Sequence, residues 1–131
     1  MIIDSSALVA ILRAEPEHAR FVDIIARAGG GRLSAASYLE TAIVIDRARD
    51  PVVSRALDGF LSAGAVEVAA VTPTQARIAR EAYRDFGKGS AHPAQLNFGD
   101  CLSYALAKEM DEPILFKGED FSHTDLTPAA S

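Results

Sequence analysis

Four carboxylates stand where a fold of alternating strands and helices would gather them: Asp4, Glu40, Asp100 and Asp120. Asp4 closes an apolar run at residues 1–4, and Asp120 follows a second such run at 113–116. Glu40 lies three positions after Ser37, and Asp100 three after Asn97. Each has an ordinary structural explanation. Ser37-Tyr38-Leu39-Glu40 matches a capping box, Asp100 complements the positive end of a helix dipole, Asp4 can cap the helix behind it, and Asp120 suits a solvated turn. The combination says more. Carboxylates crowded into one place cannot all stay ionised without a compensating cation. An all-oxygen donor set suits Mg²⁺ or Mn²⁺, which take a few carboxylates and leave positions for a phosphate. The chemistry expected is metal-assisted hydrolysis of a phosphodiester.

The elements that must bring these acids together can be read from periodicity and punctuation. Short strands are expected at 1–4, 32–34, 66–71 and 113–116. Between them the sequence predicts a helix capped at Ser5 or Ser6 and running to about residue 12, and another with Pro16 in its first turn and Phe21, Ile24, Ile25 and Ala28 on one face. A helix from Ser37 towards Arg49 follows, then one after Pro51 ended by Gly64, and one from Pro73 to Phe86 behind a Thr72 cap. The last is capped by Asn97 and runs to Met110. The stretch after Thr127 reads as frayed. Alternating strands and helices predict an α/β fold, a parallel sheet covered on both faces, and ligands bind such sheets at the carboxyl ends of the strands. No linker or repeat divides residues 1–131, so a single domain is expected.

Bulk properties narrow the class. The chain is 49% hydrophobic and 24% charged, typical of a globular protein. It lacks a basic leader or an apolar run of the ~20 residues a membrane span needs, so a cytoplasmic location is expected. Its one cysteine, Cys101, reads as a buried hydrophobe, and His18, His92 and His123 lack metal-ligand spacing. A net charge of −5 opposes nucleic-acid binding at first sight. Cations held in an acidic pocket would reverse that sign locally.

Four segments resemble the ordered motifs of VapC-type PIN-domain ribonuclease toxins: Ile-Ile-Asp4-Ser5-Ser6-Ala7-Leu8, Ser34 to Glu40, Leu96-Asn97-Phe98-Gly99-Asp100-Cys101-Leu102-Ser103-Tyr104-Ala105, and Ile114 to Phe121. The resemblance covers essentially the whole chain. It implies a PIN-like three-layer α/β/α fold with a central parallel sheet of about five strands, and a Mg²⁺-dependent endoribonuclease (Mn²⁺ being the alternative ion). It also implies a homodimer and a cognate VapB-type antitoxin that inserts a segment into the active site. Carried over by position, Asp4 and Asp100 would be the principal metal ligands, Glu40 the third acid, and Ser6 a hydroxyl that positions a ligand or water. The last motif departs from the common pattern, because Gly118 stands where many relatives have aspartate. Either Glu119 or Asp120 then supplies the fourth acid, with Asp120 preferred. Lys88, flanked by glycines, and Lys117 are candidate contacts to RNA phosphates.

Two other classes compete. A phosphatase of the haloacid-dehalogenase type needs a second aspartate two positions after the first, where this chain has Ser6. A non-catalytic interaction module with the same fold would explain Gly118 but not the retention of Asp4, Glu40 and Asp100. The apolar helical faces at 21–25 and 53–61 are either core or a surface for a partner.

Overall fold

The computed structural model describes residues 1–130. Its strands are β1 (Ile2–Ile3), β2 (Gly31–Ser34), β3 (Val66–Ala69) and β4 (Ile114–Leu115). They are connected through α1 (Ser5–Leu12), α2 (His18–Ala28), α3 (Ala35–Asp46), α4 (Pro51–Ala63), α5 (Pro73–Phe86) and α6 (Phe98–Met110). All pairings are parallel, in the order β3-β2-β1-β4. Parallel neighbours require crossovers, which the helices supply.

Strand alternation divides the core into two layers. Ile2 and Ile114 pair in register and face α5 and α6, where they pack with Ala79, Leu96, Leu106 and Phe121. Ile3 and Leu115, the next pair, face the opposite side and meet Leu8, Phe21, Ile25, Leu57 and Leu61. The apolar faces of α2 and α4 are therefore core. Helix α6 is buried continuously from Gly99 to Ala107, which its run of small and apolar residues permits. No helix of the described residues is long and apolar enough to cross a membrane.

Several boundaries differ from the sequence reading. Helix α1 is capped by Asp4 rather than by Ser5 or Ser6, and α2 begins at His18 because Pro16 belongs to the turn before it. Helix α3 starts at Ala35, not Ser37. Strand β2 runs straight into it, and the hydroxyl of Ser34 accepts from the backbone N–H of Ala36 at 3.3 Å. Glu40 consequently sits in the second turn, so the Ser37–Glu40 capping box does not form.

The described sheet has four strands rather than about five, and the tail supplies what stands beside β4. The N–H of Ile114 donates to the carbonyl of Thr127 at 3.0 Å, and that of Ala129 to the carbonyl of Ile114 at 2.8 Å. A one-residue parallel bridge, Ile114 with Pro128, results. The tail is thus docked through residue 130 rather than frayed. Phe121 is buried in the core, and the Asp125 carboxylate accepts from the Tyr104 hydroxyl at 2.7 Å and the Lys108 ammonium at 2.8 Å.

Two outcomes test this docking. Phe121→Ala should cost about 3–5 kcal/mol in chemical denaturation, the range for emptying a buried aromatic site. Asp125 is partly desolvated, which raises its pKa, yet the bonds from Lys108 and Tyr104 prevail and hold it below 3.8. Its contribution is therefore complete above 3.8 and disappears as pH falls through the lowered value. The melting-temperature gap between wild type and Asp125→Asn should accordingly be open at neutral pH and close in strong acid.

Candidate active site

The acids collect at the carboxyl edge of the sheet. Asp4, the residue after β1, is only 2% exposed. A buried carboxylate needs partners, and it has them: Oδ2 accepts from the Ser6 N–H at 3.0 Å and Oδ1 from the Ser103 hydroxyl at 2.6 Å. Because the proton of Ser103 is committed to Asp4, the Ser37 hydroxyl 2.9 Å away donates to Ser103. The chain Ser37–Ser103–Asp4 crosses from α3 through α6 to the end of β1.

Asp100 lies in the first turn of α6. Its side chain accepts from the Asn97 N–H at 3.0 Å while the Asn97 side chain accepts from the Asp100 N–H at 2.9 Å, a complete capping box. Burial pushes its carboxyl up to about 7, against the lowering bond from Asn97, and the charges of Asp4 and Asp120 push in the same direction as burial. Asp120 is thus the acid of the Gly118-Glu119-Asp120 turn that acts on Asp100, although it remains solvent-exposed. Gly118 adopts φ +99°, a conformation an aspartate would enter only under strain.

Glu40 approaches from α3. The Ser5 hydroxyl donates to its Oε1 at 2.5 Å, and a Cβ placed on Gly99 would collide with its carboxylate. The missing side chain at Gly99 lets the start of α6 lie against Glu40. Ser6 accepts from the Lys117 N–H at 3.0 Å and so fastens the turn after β4 to the turn after β1.

Of the sequence candidates, Asp4, Asp100 and Asp120 are brought together, Glu40 and Ser6 border them, and the two lysines fare differently. The Lys117 ammonium is paired with Glu15 at 2.7 Å and Glu17 at 3.2 Å, which directs it away from a ligand. Lys88 is exposed beside Asn97 and Phe98. Cys101 is buried with its thiol pushed up to about 11 by burial and the charge of Asp100, in keeping with an inert role. Ser103, Ser37, Ser5 and Gly99 were not among the site candidates: Ser5 and Ser37 read as helix caps, and Gly99 and Ser103 only as parts of a motif. The available signal was spacing: Ser103 is one turn on from Asp100 and Ser37 one turn before Thr41, polar positions on otherwise buried helical faces.

The side chains gathered at the edge, Asp4, Asp100, Asp120, Glu40 and Ser6, offer oxygen, which fits a hard divalent cation. Among the described residues, no three Asp, Glu, His or Cys side chains already enclose a point where an ion would sit. Mg²⁺ does not demand a cage, since it keeps several waters and uses one or two carboxylates. The upward push on Asp100 by Asp4 and Asp120 marks an excess of negative charge that a cation would relieve.

The parallel sheet with carboxylates at its edge makes this an α/β protein with a candidate cation-binding edge, and the PIN domain model matches residues 1–126, so the chain belongs to the PIN domain family. Its relatives are more particular. Ribonuclease VapC28 of Mycobacterium tuberculosis is 58% identical over 129 residues, spanning 98% of this chain and 97% of that protein. Ribonuclease VapC30 of the same organism is 50% identical over 130 residues, 99% and 98% of the two chains. The fold is also that of M. tuberculosis VapC20, described as a Sarcin-Ricin loop cleaving toxin, with a TM-score of 0.77 at 19% identity over 96% of this chain and 95% of that one. A toxin-antitoxin complex from Klebsiella pneumoniae gives 0.73 at 12% identity over 95% and 92%.

The close approach at Gly99 predicts different outcomes for two similar substitutions. Glycine to alanine in a helix ordinarily stabilises by about 0.5–1 kcal/mol. Gly59→Ala in α4, where a Cβ meets nothing within 4 Å, should follow that rule, whereas Gly99→Ala should gain less in melting temperature, because the Glu40 carboxylate, the end of a flexible side chain, must swing aside from its bond with Ser5. Ser103→Ala should cost about 1–3 kcal/mol by leaving a buried carboxylate oxygen short of a donor.

Proposed function

We propose that this protein is an endoribonuclease, the toxin of a toxin–antitoxin pair, and that it hydrolyses RNA phosphodiester bonds with a divalent cation held by Asp4 and Asp100. The observation that supports it most directly is the convergence of Asp4, Asp100 and Asp120 at one edge of the sheet, with Asp100 pushed up by burial and by its two neighbours. The names of the similar VapC ribonucleases point the same way.

In this reading each residue has a distinct task. Asp4 and Asp100 hold the ion, and Mg²⁺ or Mn²⁺ there would supply a nucleophilic water and neutralise charge developing on the phosphate. Asp4 is kept in place by Ser103 and Ser37, Asp100 by Asn97. Asp120 adds the fourth acid from the turn, in place of the aspartate that Gly118 displaces. Glu40, steadied by Ser5, is the third acid and orients water on the side of α3. Ser6 positions a ligand or water at the sheet edge. Lys88 is the basic residue assigned to RNA, and Lys117 is set aside because of its pairing with Glu15 and Glu17. The chain would act as one domain in the cytoplasm, as a homodimer, inhibited by a VapB-type antitoxin that enters the same edge. The phosphatase alternative loses ground: Ser6 accepts a backbone N–H where that chemistry needs a second aspartate.

Purified protein should cleave structured RNA in Mg²⁺ or Mn²⁺ and stop in EDTA. Asp4→Asn and Asp100→Asn, each checked for folding, should lose more than about a hundredfold in rate, more than removal of a supporting partner such as Ser103 costs. Metal-independent cleavage, or cleavage that survives both substitutions in folded protein, would refute the reading.

A further inference from the structure

Between α5 and α6 runs a groove of about 560 Å³ lined by Ala79, Arg80, Tyr83, Lys88, Asn97 and Phe98 among others. Its walls are apolar, and its aromatic rings face water: Phe98 is 81% exposed and Tyr83 51%. A large exposed aromatic at the first position of a helix contributes nothing to the core. Two residues apart on a helix, Phe98 and Asp100 point to opposite sides of α6, and none of the acids lines the groove. The link is Asn97, which lines the groove and donates its N–H to the Asp100 carboxylate at 3.0 Å, so the groove opens at the helix end where Asp100 is held.

Charge identifies the occupant. In a chain of net charge −5, α5 carries Arg77, Arg80 and Arg84 at helical spacing i, i+3 and i+7, with Glu81 among them and Asp85 beside Arg84, while Lys88 beyond the helix end shares the groove rim with Arg80. Arg84 is paired with Asp85. Among the described residues no ion pair engages Arg80 or Lys88, the two cations on the rim of the groove. An apolar aromatic floor with a basic rim is the arrangement that binds unpaired nucleotides, the base stacking on the ring and the phosphate meeting the cation.

We propose that this groove is a nucleotide subsite of the nuclease: an unpaired base of the RNA stacks on Phe98 against Tyr83, while Arg80 and Lys88 hold an adjoining phosphate. The subsite rests on the ribonuclease reading above and extends it. It selects single-stranded positions next to the bond cut, because a paired base cannot leave its stack without cost. Phe98 is a substrate-binding residue here, and the Tyr83 hydroxyl, which donates to the Lys88 carbonyl at 3.0 Å, fixes the loop that carries the rim cation.

The test uses a 12-nucleotide single-stranded RNA carrying one 2-aminopurine, whose fluorescence falls when it stacks on an aromatic ring. Binding is read in EDTA, where cleavage is silent, and cleavage is read separately with Mg²⁺. Wild type should quench the probe. Phe98→Ala and Phe98→Leu should each abolish the quenching and weaken binding about tenfold, at unchanged melting temperature. Arg80→Gln and Lys88→Gln should each lower the slope of log affinity against log salt by about one. Full quenching or full affinity in Phe98→Leu overturns the proposal, because an apolar side chain of another shape would then suffice. If sedimentation shows Phe98→Ala breaking a dimer into monomers while RNA affinity holds, the groove is an interface between copies and the proposal also fails. Metal-dependent cleavage with no effect of Phe98 removes the subsite alone, whereas quenching without cleavage on any RNA removes the nuclease reading alone.

Discussion

A carboxylate buried at the end of a central strand constrains everything around it. Left without donors, the Asp4 side chain would cost several kcal/mol, so the fold surrounds it with hydrogen bonds from two directions. The Ser6 N–H comes with the cap of α1, and the Ser103 hydroxyl comes from α6, which must therefore pass close over β1. That proximity needs small side chains on the facing side, and α6 supplies Gly99, Ser103 and Ala107 at i, i+4 and i+8. The same passage sets Asp100 beside Asp4 and Gly99 beside Glu40. One satisfied charge thus fixes where the other acids stand.

Helix ends do double duty at this edge. Asp4 and Asp100 are both capping residues, held by backbone N–H groups at positive helix ends. Capping gives one oxygen of each carboxylate a backbone N–H, and Asp4 adds the Ser103 hydroxyl on its other oxygen. The structural and chemical explanations of these acids, which compete when the sequence is read alone, describe the same atoms.

How much was legible follows from the range of the signals. Asn97 and Asp100 interact within one turn, and Pro51, Gly64 and Pro73 mark helix ends by backbone chemistry, so those features could be read locally. The short strand at the start of the chain was equally plain from its apolar run ending at Asp4. The start of α3 was not, because Ser34 serves as both strand residue and cap and leaves no loop to mark the change. Ser103 meets Asp4 across 99 positions and Ser37 meets Ser103 across 66, contacts no local pattern encodes. The tail was misread for a similar reason: Thr127 and Ala129 look unstructured until Ile114 is placed beside them. Between Glu119 and Asp120 the sequence offered only turn chemistry, and three-dimensional proximity to Asp100 separates them.

The bridge at Pro128 also bears on how copies of this chain meet in concentrated solution. An open sheet edge displays unpaired donors and acceptors that recruit strands from neighbouring molecules. Here the residue covering β4 points its own nitrogen outward, and in proline that nitrogen carries no hydrogen. A strand added on that side would therefore find one donor missing, and the residue responsible belongs to a segment remote from the carboxylates.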